Sequence, residues 1–159
     1  MDAATTSMAF MHRRPGCVAV AACIFLASSA FVTAQRDSST FRTIERGSQS
    51  SIDSARQVVV RTPAEWAALW HNHNYDKPSP PVDFNREMVI GVFMGSRPTG
   101  GYSIQIVSVA ERDGKLVVGY RETRPKPGAM TVQILTFPYH LVAVPKYAGE
   151  VVFERNDQN

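Results

Sequence analysis

From Met88 to Met94 the chain is almost continuously apolar, while from Tyr102 to Ile106 apolar residues alternate with polar ones. The first pattern predicts a central strand covered on both faces, and the second a strand with one buried and one wet face. The alternation slips between Val107 and Val109, which predicts a bulge. Asp113-Gly114 predicts a tight hairpin into Leu116–Thr123, where Leu116, Val118 and Tyr120 share a face, so these two strands should pair antiparallel. Upstream, Phe41–Arg46 alternates well enough for a strand, and Gln57–Arg61 carries the β-branched run Val58-Val59-Val60. Further apolar runs fall at Val132–Leu135, Leu141–Val144 and Val151–Phe153, the last of them a short closing strand. Pro138 must lie at an edge or a break, because it has no N–H to give to a ladder.

One segment has a different period. Thr62 can cap a helix, Pro63 suits the first helical position, and Glu65 can reach back to close a capping box, which predicts a helix over Pro63–His73. Trp66, Leu69 and Trp70 then share one face that must be buried, most simply against a sheet. Pro78, Pro80 and Pro81 make a stiff extended exit. Many strands with one helix and no internal repeat read as α+β: a mainly antiparallel β-sheet with one amphipathic helix packed on it.

The amino terminus is read as a targeting segment. Arg13 and Arg14 form a basic region, Val18–Leu26 an apolar one, and Val32-Thr33-Ala34 a small-residue cleavage site, as in a Sec-type signal peptide over residues 1–34. The apolar run is shorter than the roughly 20 residues a bilayer span needs, so no stable membrane anchor is expected after cleavage. Residues 35–40 read as a flexible lead-in and 41–159 as a single domain in the periplasm or outside the cell. Cleavage removes both cysteines, Cys17 and Cys23, leaving no disulfide or thiolate chemistry, and takes the formal net charge from +3 to +2 by removing two arginines and one aspartate. No basic stripe interleaved with stacking aromatics appears, so nucleic acid is not an expected partner.

Reactive constellations are thin. His71 and His73 lie two apart at the end of the predicted helix, pointing to different sides and lacking an evident third ligand with Asp76, so they read as cations favoured by the helix dipole and not as a metal site. Ser103 with His140, oriented by Asp83 or Asp113, would make a small serine hydrolase, but Ser103 lies in an alternating strand and not on a nucleophile elbow. Glu87 and Glu122 fall on polar faces, and Gly100-Gly101 leads into a strand and not into the helix that a phosphate cradle needs. No catalytic residue, cofactor or metal is therefore expected. The densest local chemistry is the turn after Gly95, where Pro98, Gly100 and Gly101 fix the backbone between Arg97 and Tyr102.

Two blocks carry a resemblance. Met88-Val89-Ile90-Gly91-Val92-Phe93-Met94-Gly95 with Arg97-Pro98-Thr99-Gly100-Gly101-Tyr102-Ser103-Ile104, and then Thr123, Pro125, Pro127-Gly128, Thr136, Pro138-Tyr139-His140 and Val142–Lys146, resemble the PrcB C-terminal domain family over about Glu87–Lys146. Phe137 stands where that family's pattern suggests a small residue. The resemblance implies a non-enzymatic exported module that binds or stabilises a secreted subtilisin-like protease or another envelope complex. Arg97, Pro98, Thr99, Gly100, Gly101, Tyr102, Pro138, Tyr139, His140 and Lys146 are then expected to line one partner-binding surface, since aromatic and cationic anchors dominate protein interfaces. Arg97–Tyr102 also looks like the loop of chagasin-type protease inhibitors, which are all-β immunoglobulin-like domains and fit the predicted helix poorly.

Overall fold

The computed structural model describes residues 41–156, so the segments read as signal peptide and lead-in lie outside the described residues. Seven strands and one helix follow in the order β1 (Arg42–Gly47), β2 (Arg56–Val60), α1 (Pro63–Asn74), β3 (Glu87–Phe93), β4 (Ser103–Arg112), β5 (Lys115–Thr123), β6 (Tyr139–Pro145) and β7 (Val151–Arg155). They form two sheets: an antiparallel one in the order β1-β6-β3-β2, and a three-stranded one in the order β4-β5-β7.

The apolar run from Met88 explains why three layers form. Met88, Ile90, Val92 and Met94 point to the second sheet and pack with Ile104, Ile106, Val109, Leu116, Val118 and Tyr120. Val89 and Phe93 point the other way, into a second core with Trp66, Leu69 and Trp70 of α1. β3 is thus an interior strand of its sheet, apolar on both faces because each face has a layer to meet. Gly91 lies on the helix side, where a Cβ would come within 2.7 Å of Leu141 Cδ2 and 2.8 Å of Val58 Cγ2.

Helix α1 starts as the sequence dictates. Thr62 Oγ1 accepts from Glu65 N–H at 3.2 Å, and Glu65 Oε2 accepts from Thr62 N–H at 3.1 Å, closing the capping box. Such a cap contributes about 1 kcal/mol. Both indoles are tied down at their polar edges, Trp66 Nε1 donating to Pro80 O at 3.0 Å and Trp70 Nε1 to Lys77 O at 2.7 Å. The proline-rich exit therefore does more than space the elements, because it supplies the acceptors that let two tryptophans be buried.

β4 and β5 pair antiparallel around Asp113 (φ 51°) and Gly114 (φ 71°), and the register shifts between Ile106 and Ser108, at the bulge the broken alternation predicts. Two features differ from the simplest reading. The strands divide into two sheets, and β7 joins β5 in parallel, since the Lys146–Glu150 link carries the chain from the first sheet to the second. Val132–Leu135 forms no strand.

Candidate functional site

The turn after β3 is held by two neighbouring segments. Gly95 (φ 74°) sits so close to the 53–55 backbone that a Cβ would fall 2.7 Å from Ala55 N, and Ser96 N–H donates to Asp53 O at 2.8 Å. On the other side Arg97 and Thr136 form an antiparallel bridge, with N–H to O distances of 2.8 and 2.9 Å. Thr136 Oγ1 donates to Thr99 O at 3.0 Å and Gly100 N–H to Val132 O at 2.9 Å. The Arg97 guanidinium lies 6.0 Å from the centre of the Tyr102 ring and donates through Nη1 to Ser96 O at 2.8 Å. Arg97, Thr99, Gly100 and Tyr102 are half-buried, while Pro98 and Gly101 are exposed.

The segment that clamps this turn carries a feature that sequence reasoning missed. Met130 is 102% exposed, Val132 72%, Ile134 51% and Leu135 54%. Four large apolar side chains in six residues, on a loop fixed to a rigid turn, form an apolar patch that the monomer leaves to solvent. The sequence marks it only weakly: Ile134 and Leu135 are adjacent and cannot share one strand face, but flanking prolines do not set it apart, since Leu141–Val144 lies between Pro138 and Pro145 and is buried.

The second block does meet the first in space, since Met94 N–H donates to Pro138 O at 2.8 Å, but its side chains turn inward. Pro138 is buried, Tyr139 is 5% exposed and His140 1%. The Tyr139 ring meets His73 edge-on at 4.2 Å, and its hydroxyl is held well above the ordinary phenol range by burial and by the Glu45 carboxylate. His140 accepts from Ile106 N–H at Nδ1 (2.9 Å), so its proton sits on Nε2, which donates to Thr43 Oγ1 at 3.0 Å. Burial, with the Arg46 charge adding to it, pushes its pKa down to about 4. The ring is a neutral clamp between the sheets. Lys146 donates Nζ to Phe84 O at 2.9 Å, beyond the end of β6 opposite Tyr139 and roughly 23 Å away along the strand. Pro138, Tyr139, His140 and Lys146 therefore do not share a surface with Arg97 and Tyr102. Pro138 and the two rings that follow it serve the core because β6 lies between β1 and β3 and has no free edge.

Two constellations with chemical potential resolve into structural roles. Both nitrogens of His140 are occupied, which leaves no base for Ser103. His71 is exposed, whereas His73 is buried and bonded on both sides, Nδ1 to Ser50 Oγ at 2.8 Å and Nε2 to Glu45 Oε2 at 3.3 Å. Burial lowers the His73 pKa against the opposing pull of Glu45. Ser50 Oγ also accepts from Ile52 N–H at 3.0 Å, and Ser51 N–H donates to His73 O at 3.0 Å, so the group pins the 48–52 loop to the end of α1. Among the described residues no three His, Cys, Asp or Glu side chains are grouped to hold a metal, and no helix is long and apolar enough to cross a membrane.

Comparison with known families places this geometry in a wider set. Residues 88–145 match the family model described as PrcB C-terminal, a span that runs from β3 through β6 and includes both the Arg97–Tyr102 turn and the exposed 130–135 segment. Residues 88–145 are thus similar to the PrcB C-terminal family, over the stretch that the two motif blocks implied. No curated protein and no solved structure gives a significant match.

Proposed function

We propose that this chain, similar to the PrcB C-terminal family over residues 88–145, is an exported, non-enzymatic module that docks onto and stabilises a secreted subtilisin-like protease complex. The observation that carries the reading is the exposed row Met130, Val132, Ile134 and Leu135, braced from beneath by the Arg97–Thr136 bridge and the Gly100–Val132 hydrogen bond. Burying such side chains at an interface is worth about 1.5–3 kcal/mol each when they are fully covered, and a braced backbone loses little freedom on binding. Arg97 stacked on Tyr102 supplies a cationic anchor beside the apolar patch. The leader-like residues 1–34 support export.

Co-purification of the full chain with an exported serine protease from the producing organism tests this. The double variant Val132→Asp/Ile134→Asp is expected to fold normally, because both side chains are exposed, yet to lose the protease and shorten its half-life. Retention of the protease by that folded variant would contradict the reading. The chagasin-type inhibitor reading loses its basis, since α1 packs as a full layer on the first sheet and the domain is not an all-β sandwich.

A further inference from the structure

The segments that form and brace the apolar patch carry more cations than carboxylates. Between Met94 and Ala110, and again between Thr123 and Lys146, the sequence contains no Asp or Glu, while Arg97, Arg124 and Lys126 fall within those stretches. Glu122 only partly offsets Arg124, its Oε2 lying 3.8 Å from Arg124 Nη2 and, closer, 3.1 Å from Arg155 Nη1. Asp53 touches the turn through its carbonyl, at Ser96. Lys126 makes no side-chain hydrogen bond or ion pair among the described residues, and Arg97 makes a single bond to a neighbouring carbonyl in addition to its stacking on Tyr102.

The backbone of the patch is equally open. The N–H groups of Thr131, Val132, Gln133 and Leu135 make no hydrogen bond among the described residues. Thr131 and Gln133 alternate with Met130, Val132 and Ile134, so polar and apolar groups are interleaved and not segregated. Hydrocarbon would leave those N–H groups unsatisfied at a cost of several kcal/mol each, whereas a polypeptide brings its own carbonyls. We infer that the partner surface seated on residues 130–135 is an acidic polypeptide segment, with carboxylates facing Arg97, Arg124 and Lys126 around an apolar centre. This rests on the reading of the patch as a protein-docking surface, and narrows it to one chemistry.

A photo-crosslinking amino acid, p-benzoylphenylalanine, placed at position 130 of the full chain in the producing cell tests it, since the Met130 side chain touches solvent only. The expected result is a crosslinked polypeptide whose attachment point, mapped by mass spectrometry, lies among Asp and Glu residues. Adding Arg124→Glu/Lys126→Glu is expected to lower the yield about tenfold, as like charges now face each other. A polypeptide crosslinked at a site without carboxylates, or with a yield unmoved by charge reversal, overturns the acidic assignment and leaves protein docking standing. Crosslinks to phospholipid alone, or none at all, overturn both.

Discussion

His140 allows a quantitative test of how the two sheets are joined. In the folded chain its Nδ1 must stay unprotonated to accept from Ile106 N–H at 2.9 Å, and its pKa is held at about 4, below the ordinary 6.5. The unfolded chain therefore binds more protons than the native one between those values, so stability rises with pH across that window. The contribution is complete above about pH 6.5 and is lost as pH falls toward 4. With about 1.36 kcal/mol per unit, a shift of this size is worth roughly 3 kcal/mol, and no discount for solvent screening applies to a ring that is 1% exposed. Urea unfolding of the protein and of His140→Gln between pH 7.5 and 4.5 isolates the effect, because carboxylate titrations are common to both. Glutamine offers an oxygen to Ile106 N–H but does not titrate. The wild type is expected to lose about 2–3 kcal/mol more than the variant over that range. Parallel pH profiles would refute the neutral-clamp assignment.

Other consequences follow from the same geometry. Trp70→Ala should cost about 3–5 kcal/mol in chemical denaturation, because it opens the α1 core and leaves Lys77 O without its indole donor. Thr62→Ala removes the acceptor for Glu65 N–H and should cost about 1 kcal/mol, with Thr62→Ser restoring most of it. Gly95→Ala should destabilise by more than about 1 kcal/mol, since φ is 74° and the new methyl meets the backbone at Ala55, and the loss should show as a lower thermal midpoint. Met130→Asp, by contrast, should leave the thermal midpoint within about a degree of wild type while weakening partner association, as surface changes seldom move stability by more than about 0.5 kcal/mol.

The parts of the fold legible in the sequence are those decided by local chemistry. The Thr62-Pro63-Glu65 cap, the two-faced run from Met88, the bulge near Val107 and the Asp113-Gly114 hairpin are each specified by a few adjacent residues, and each forms where the pattern places it. The division into two sheets and the parallel seat of β7 depend on contacts between distant segments, which leave no periodic trace. The site is half legible. Glycines and prolines mark the Arg97–Tyr102 turn, but Pro138-Tyr139-His140, which looks like surface by the same residue types, serves a strand flanked on both sides. His73 gives no sign of its buried partners because Ser50 and Glu45 come from other segments. An apolar run such as Val132–Leu135 looks like core in the sequence, and exposure can be seen only once the layers are full.

Hydrogen exchange on the free protein and on the complex it forms with the partner captured from the producing cell tests the central claim most directly. The amides of Thr131, Val132, Gln133 and Leu135, unpaired among the described residues in the free chain, are expected to become slow in the complex while the solvent face of α1 is unchanged. Fast exchange at 131–135 in both states, with protection appearing instead along α1, would contradict the account.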